Sequence, residues 1–361
     1  MLIMLVETKT ASAEPIYKFE GFGTLGASHS DQKFGDYTLD STLPKGAGIS
    51  QDWAMGNDSR IGAQVTGNLT SKVATVFQVI SEYSAEGNFK PVVEWANIKY
   101  IFSPNTHIRA GRIALPTFLN SDNRKVGFSS PWIHPPLELY RQLAITNSDG
   151  VDVMYRSDYW RGLNTVKLLY GSNTIDRPTS ISTSKNIWGI FDTFELDKTT
   201  IHIGYQERKS HSKNNLSGIT GDWVLNSDLS IGASYDSGAW FMSTEWIQRK
   251  STTKISAMYL SAGVRWRELT PYLTYSQNSP GSFLPGNAPP SANSIRIASR
   301  SQNAASLGLR WDFKKNADLK LQYDQVKLSD RSNGFLANVP NNVILYGSTF
   351  HVISFTTDFL F

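Results

Sequence analysis

The sequence predicts an all-β chain, a closed 16-stranded antiparallel barrel that crosses a membrane, and three observations point there. Segments of strict two-residue alternation recur from end to end of the 361 residues. The connectors between them alternate between short and long, as they do when every second turn lies on the same side of a membrane. The final segment is the clearest, with Ile353, Phe355, Thr357, Phe359 and Phe361 on one face and Ser354, Thr356 and Asp358 on the other.

The elements follow in order. Met1 to Val6 is a short apolar stretch, and Ala11-Ser12-Ala13 has the small-x-small form of a signal-peptidase site. Residues 1–13 therefore read as an export leader lacking its charged end, and 14–361 as a single barrel domain starting at Glu14. Alternation then marks strands near 17–28, 58–67, 72–83, 92–101, 105–112, 149–156, 164–172, 185–196, 199–208, 227–236, 239–249, 254–265 and 269–277. In the next, Ala305, Leu307, Leu309, Trp311 and Phe313 oppose Ser306, Gly308, Arg310 and Asp312. Leu319, Leu321 and Tyr323 oppose Lys320, Gln322 and Asp324, and the segment ending on Phe361 completes the set. Aromatics gather toward strand ends, where bilayer interfaces hold them. A soluble β-sandwich would place them mid-strand in its core.

Short links fall at 68–71, 103–105, 159–162, 197–198, 237–238, around Arg267 and at 314–316. Between them lie polar or Gly/Pro-rich segments at 29–57, 84–91, 113–148, 173–184, 209–226, 278–301 and 329–346, with a short one at 250–253. An even strand count with this alternation puts both termini on one side.

Composition excludes other classes. The longest apolar run, Met1 to Val6, falls far short of the roughly 18 to 20 residues of a membrane helix. Aromatics reach 12%, Gly numbers 27, and the mean hydropathy is -0.30. The absence of cysteine removes disulfides, thiol nucleophiles and thiolate metal sites, and suits passage through an oxidising compartment. The net charge of +4 is scattered without basic runs, so no nucleic-acid partner is expected. The six histidines, at 29, 107, 134, 202, 211 and 351, show no metal-ligand spacing. Glu94, Glu138 and Glu245 form no evident acid/base pair, and no nucleophile elbow or phosphate loop occurs. No cofactor, metal or enzymatic activity is expected.

The connector 113–148 carries the densest set of functional candidates. A structureless loop of this length is uncommon unless it is functional, and its Phe118, Trp132, Pro135, Pro136 and Tyr140 argue that it packs, the available place being the barrel interior. Its charged residues are Asp122 and Glu138 against Arg124, Lys125 and Arg141, with His134 beside two prolines. Arg60, Gln64 and Thr66 share one face of the second strand, and Lys18, Lys99, Arg109, Arg112 and Lys167 are further candidate wall cations. A narrow wet constriction filters ions by the sign of its side chains, and low-dielectric walls focus the field. A basic wall and a near-neutral connector predict weak anion selectivity or little selectivity. The alternative is a solute-specific channel, for a sugar or an organic anion, in which Trp95, Trp132, Trp188 and Trp223 present stacking faces.

In three places the chain resembles the Gram-negative trimeric porin family. These are the start Tyr17-Lys18-Phe19-Glu20-Gly21-Phe22-Gly23, the strand end Ala110-Gly111-Arg112 before a long third loop, and the terminal Phe359-Leu360-Phe361. The resemblance implies an outer-membrane barrel whose long third loop is folded into the lumen as an eyelet, with Arg60 similar to the family's wall arginines. It also implies a homotrimer among lipid and lipopolysaccharide, passing small hydrophilic solutes and ions. Phe361 would be the assembly signal read by the barrel-assembly machinery. The third loop departs from the best-known members in its thin acidic cluster, Asp122 and Glu138.

Overall fold

The computed structural model describes residues 16–40, 42–143, 145–279, 281–283, 300–330, 332–340 and 342–361. The expected leader, residues 1–13, and Glu14 lie outside the described residues, as does most of 278–301. Sixteen long strands form the barrel: β1 (Ile16–Ser30), β2 (Arg60–Asn68), β3 (Val73–Glu82), β4 (Pro91–Ser103), β5 (Thr106–Ala114), β6 (Asn147–Tyr159), β7 (Gly162–Arg177), β8 (Ser180–Leu196), β9 (Thr199–Asn214), β10 (Val224–Asp236), β11 (Trp240–Lys250), β12 (Thr253–Val264), β13 (Leu269–Asn278), β14 (Gln302–Lys314), β15 (Ala317–Leu328) and β16 (Thr349–Leu360). Every one corresponds to an alternating segment of the sequence.

Each strand pairs antiparallel with the next, and β16 pairs back onto β1 from Phe22↔Leu360 to Ser30↔Val352. The sheet therefore closes and leaves no unpaired edge. Its polarity is inverted relative to a soluble protein. Along β15, Leu319, Leu321 and Tyr323 are exposed, while Asp318, Lys320, Gln322 and Asp324 are buried on the inward face. No helix among the described residues is long and apolar enough to cross a membrane. A closed sheet meets the same need, because every backbone donor and acceptor finds a partner on a neighbouring strand.

The closing seam explains two glycines. A Cβ at Gly21 would lie 2.2 Å from the Phe361 ring, and one at Gly23 would lie 2.3 Å from Phe359. The two rings stack 6.1 Å apart over the space that the missing side chains leave. The backbone N–H of Gly21 donates to the Phe361 carbonyl at 2.7 Å, and Phe361 donates back at 3.0 Å. The last residue of the chain is thus stitched to the first strand.

The connectors differ from expectation in one respect. The segment 173–184 is mostly strand, since β7 runs to Arg177 and β8 begins at Ser180, and β9 continues to Asn214. Beyond the apolar band these strands carry polar residues on both faces, so their period is invisible in the sequence while the hydrogen-bonded ladder continues. The connector 113–148 holds a 3₁₀ turn, Gly127–Ser129, and one short helix, α1 (Leu137–Tyr140).

Replacing Gly23 by Val is expected to crowd the Phe359 ring and destabilise the seam by about 1–3 kcal/mol, the usual cost of overpacking. Denaturant unfolding of the refolded barrel measures it, and a midpoint equal to that of the original chain would contradict the role given to the seam.

Candidate functional site

The connector 113–148 joins β5 to β6, and its bonds reach polar-face side chains around most of the barrel. Leu119 N–H donates to Glu245 Oε2 of β11 at 2.8 Å. Lys125 Nζ donates to Glu82 of β3 at 2.7 Å and to Glu94 of β4 at 3.0 Å. The carbonyls of Gly127 and Phe128 accept from Lys320 of β15 and Arg310 of β14, each at 2.7 Å. Trp132 donates its indole N–H to Ser261 at 2.9 Å and Thr274 at 3.2 Å. Glu138 accepts from Ser276 and Gln302, each at 2.6 Å, and Tyr140 donates to Glu245 at 2.6 Å. Leu115, Phe118, Leu139 and Leu143 are buried in one apolar cluster with Phe191, Ile247 and Tyr259 of the wall. Fully burying each such leucine is worth roughly 1.5–3 kcal/mol. Polar ties and apolar packing together fix the connector's path.

A cationic strip lies on the inward face of β4 to β7. Lys99 sits directly across from Arg109, and Arg109 across from Asp152, to which its Nε donates at 3.0 Å. One step toward the short turns, His107, Met154 and Lys167 share a register row. Asp122 of the connector is within electrostatic reach of Arg109 and Lys167. Among the described residues, Lys99 and Lys167 have neither a hydrogen bond nor an ion pair. Several inward carboxylates are paired with cations. Glu82 and Glu94 hold Lys125, Asp358 holds Lys320 at 2.8 Å, Asp318 holds Arg310 at 3.0 Å, and Asp228 holds Arg208.

The remaining expected site residues scatter. Lys18 is exposed and pairs with Glu20 at 2.6 Å, toward the short-turn end. Arg60 lies across from Glu82. Burial pushes the Arg124 guanidinium below its ordinary range, against the pull of Glu94 and Glu82. Burial opposes the charge of Lys125 as well, but Glu82 and Glu94 outweigh it and hold the ammonium above its usual range. Glu138 is buried among its donors, and so anchors the connector. Arg141 donates to the Thr38 carbonyl at 2.9 Å and covers the Phe335 ring at 5.0 Å, which ties the connector to the outer segments.

Two expectations are corrected. Arg112 does not join the lumenal wall. It lies three residues from Arg109, on the opposite face of β5, and pairs outward with Asp149 at 2.7 and 2.8 Å. Trp188 points outward, because a register shift between Lys185 and Trp188 changes the parity of β8. Trp223, just before β10, is exposed and packs 4.1 Å from the His211 ring. Trp132 is buried and lines a small space with His134 and Glu138, and Trp95 lines another beside Arg124 and Lys125. Sequence reasoning missed the wall acids Glu82, Glu94, Asp152, Asp318 and Asp358. Strand parity could have found all but Glu94, which sits at a bulge opposite Gln78 and Val79.

A family model described as Gram-negative porin matches residues 2–334. Among solved structures, the anion-selective porin from Comamonas acidovorans is similar at a TM-score of 0.60 and 14% identity, covering 96% of this chain and 100% of that one. OmpT, an outer membrane protein of Vibrio cholerae, in its trimer form, gives 0.60 and 12%, covering 97% and 100%. OmpF of Salmonella typhi, in complex with daunomycin, gives 0.61 and 13%, covering 96% and 97%. No curated protein sequence matches.

His134 supplies a pH test of the connector's anchoring. Its ring bonds the Tyr37 hydroxyl at 2.8 Å and Asp58 at 3.1 Å. Burial disfavours the charged ring, but Asp58, with Asp324 behind it, outweighs burial and raises the imidazolium pKa. A raised folded-state pKa gives docking strength that is complete below the ordinary histidine value, near 6.5, and lost as pH rises through the raised one. Proteolysis within 113–148 is therefore expected to accelerate as pH rises through that window, and His134→Gln to flatten the dependence. Equal pH profiles for the two proteins would refute this.

Proposed function

The chain belongs to the Gram-negative porin family, multi-pass β-barrels of the outer membrane, and on that premise we propose that it is a water-filled channel for passive diffusion of small hydrophilic solutes and ions, weakly anion-selective or poorly selective. The connector 113–148 is its constriction, folded into the lumen. The ties from the connector to inward residues of β3, β4, β11 and β14 support that reading. The anion leaning rests on one observation: Lys99 and Lys167 stand without partners beside Arg109, while Glu82, Glu94, Asp152, Asp318 and Asp358 are each paired with a cation. Unpaired ammonium groups on a low-dielectric wall concentrate anions in the passage.

Assembly as a homotrimer in the lipid and lipopolysaccharide of the outer membrane completes the proposal, supported by the trimer form of the similar Vibrio cholerae protein. Phe361, exposed beside the closing seam, is the residue we expect the assembly machinery to read. A sugar slide gains no support, since Trp132 is committed to Ser261 and Thr274 and Trp188 faces outward.

In planar bilayers the protein is expected to give ohmic conductance in steps of three, with a reversal potential on the anion side in a KCl gradient. Lys99→Gln combined with Lys167→Gln should move that potential toward the cation side. A cation-selective starting protein, or an unmoved potential in the double variant, would overturn the reading.

A further inference from the structure

We propose that Lys125 is a selectivity-determining strut, which crosses to the β3–β4 wall and masks the two carboxylates there, leaving the basic strip of β4 to β7 to set the sign of the passage. The proposal rests on the channel reading and deepens it, assigning to one connector residue the control of which wall charges the solute meets.

The geometry converges on Lys125 from both sides. Its Nζ lies 2.7 Å from Glu82 and 3.0 Å from Glu94, and its side chain is only 17% exposed. Glu94 is deeper, at 9%, and its other oxygen accepts from Thr146 at 2.9 Å, where the connector returns to β6. Tip and return stem therefore meet on one carboxylate. Phe22, Gln78 and Trp95 close against the tip beside Arg124. An ammonium carries three donors on a compact charge, enough to serve both acids at once.

The electrostatic consequence follows from distance. Beyond a few ångströms, an ammonium in contact with two carboxylates presents a small residual field, because opposite charges at close range cancel. Lys125, Arg124 and Arg60 together slightly outweigh Glu82 and Glu94, so this side of the passage does not oppose the lysines of the strip. Without Lys125, buried Glu94 loses the cation in contact with it, and the partly exposed Glu82 loses its closest one. An unpaired buried carboxylate is costly, so Glu94 would turn toward the water of the passage, to which Glu82 is already partly open. There they would face Arg109 and Lys167 and attract cations.

Reversal potentials in a KCl gradient test this. Lys125→Met is expected to raise the potassium-to-chloride permeability ratio about two- to threefold, the size of one unit charge acting through water over several ångströms. Lys125→Arg should keep the original ratio. The triple variant Lys125→Met, Glu82→Gln, Glu94→Gln should return toward the original ratio, because the exposed charge is gone. If Lys125→Met fails to assemble, the double variant Glu82→Gln, Glu94→Gln carries the test, shifting toward anions as the unmasked ammonium joins the basic strip. An unchanged ratio in Lys125→Met, a triple variant as cation-shifted as the single one, or a double variant without an anion shift would overturn the strut. Absence of conductance steps in the unsubstituted protein would instead overturn the channel reading, so the two failures are distinct.

Discussion

Pairing of backbone polar groups in an apolar surrounding is the constraint on which the rest of this structure depends. A peptide N–H or C=O left open toward hydrocarbon costs several kcal/mol, so a sheet that turns its apolar side chains outward has to close on itself. The β1–β16 seam performs the closure, and the Phe359 and Phe361 rings lying over Gly23 and Gly21 show how closely its outer surface is fitted. Once the sheet is closed, strand parity assigns every side chain either to the apolar outside or to the polar inside. Lumenal chemistry is then a consequence of register.

The inverted polarity leaves the interior with a difficulty that soluble proteins do not meet. Asp228, Asp318, Lys320, Asp324 and Asp358 are all inward and buried, and each charge has to be offset by another charge or by a directed dipole. The connector 113–148 supplies many of those partners. Its carbonyls accept from Lys320 and Arg310, its Lys125 donates to Glu82 and Glu94, and its Tyr140 hydroxyl and Leu119 N–H donate to Glu245. The same segment contributes leucines and aromatics to an apolar cluster shared with Phe191, Ile247 and Tyr259 of the wall. Mutations that loosen its packing are therefore coupled to the electrostatics of the passage, and neighbouring substitutions there should not be additive.

Alternation made the barrel legible in the sequence, because the period of two is a direct record of which face meets hydrocarbon. All sixteen strands are found there, down to the polar Lys320 and Gln322 between Leu319, Leu321 and Tyr323. What escaped notice lay where that record is silent. Asp176 and Thr183 belong to strands beyond the apolar band, where both faces are polar. The bulge at Trp188 reverses parity without any compositional mark. Charge alone groups Arg112 with Arg109, although an odd separation along a strand puts two residues on opposite faces. Which charges are free and which are spent on one another is a matter of three-dimensional pairing, and no one-dimensional pattern contains it.

That distinction governs selectivity more than the inventory of charges does. The formal excess of basic residues over the chain is small, and counting Arg124, Lys125 and Arg141 against Asp122 and Glu138 suggests a connector of weak positive character. Pairing redistributes that character. Arg141 is spent on Thr38 and Phe335, and Glu138 on Ser276 and Gln302, while Lys99 and Lys167 remain without partners. A field felt by a passing ion comes from the charges left over after close pairs have cancelled. On the proposed reading, the sign of the passage is carried by two lysines on β4 and β7, and it persists only as long as the acids on β3 and β4 remain covered.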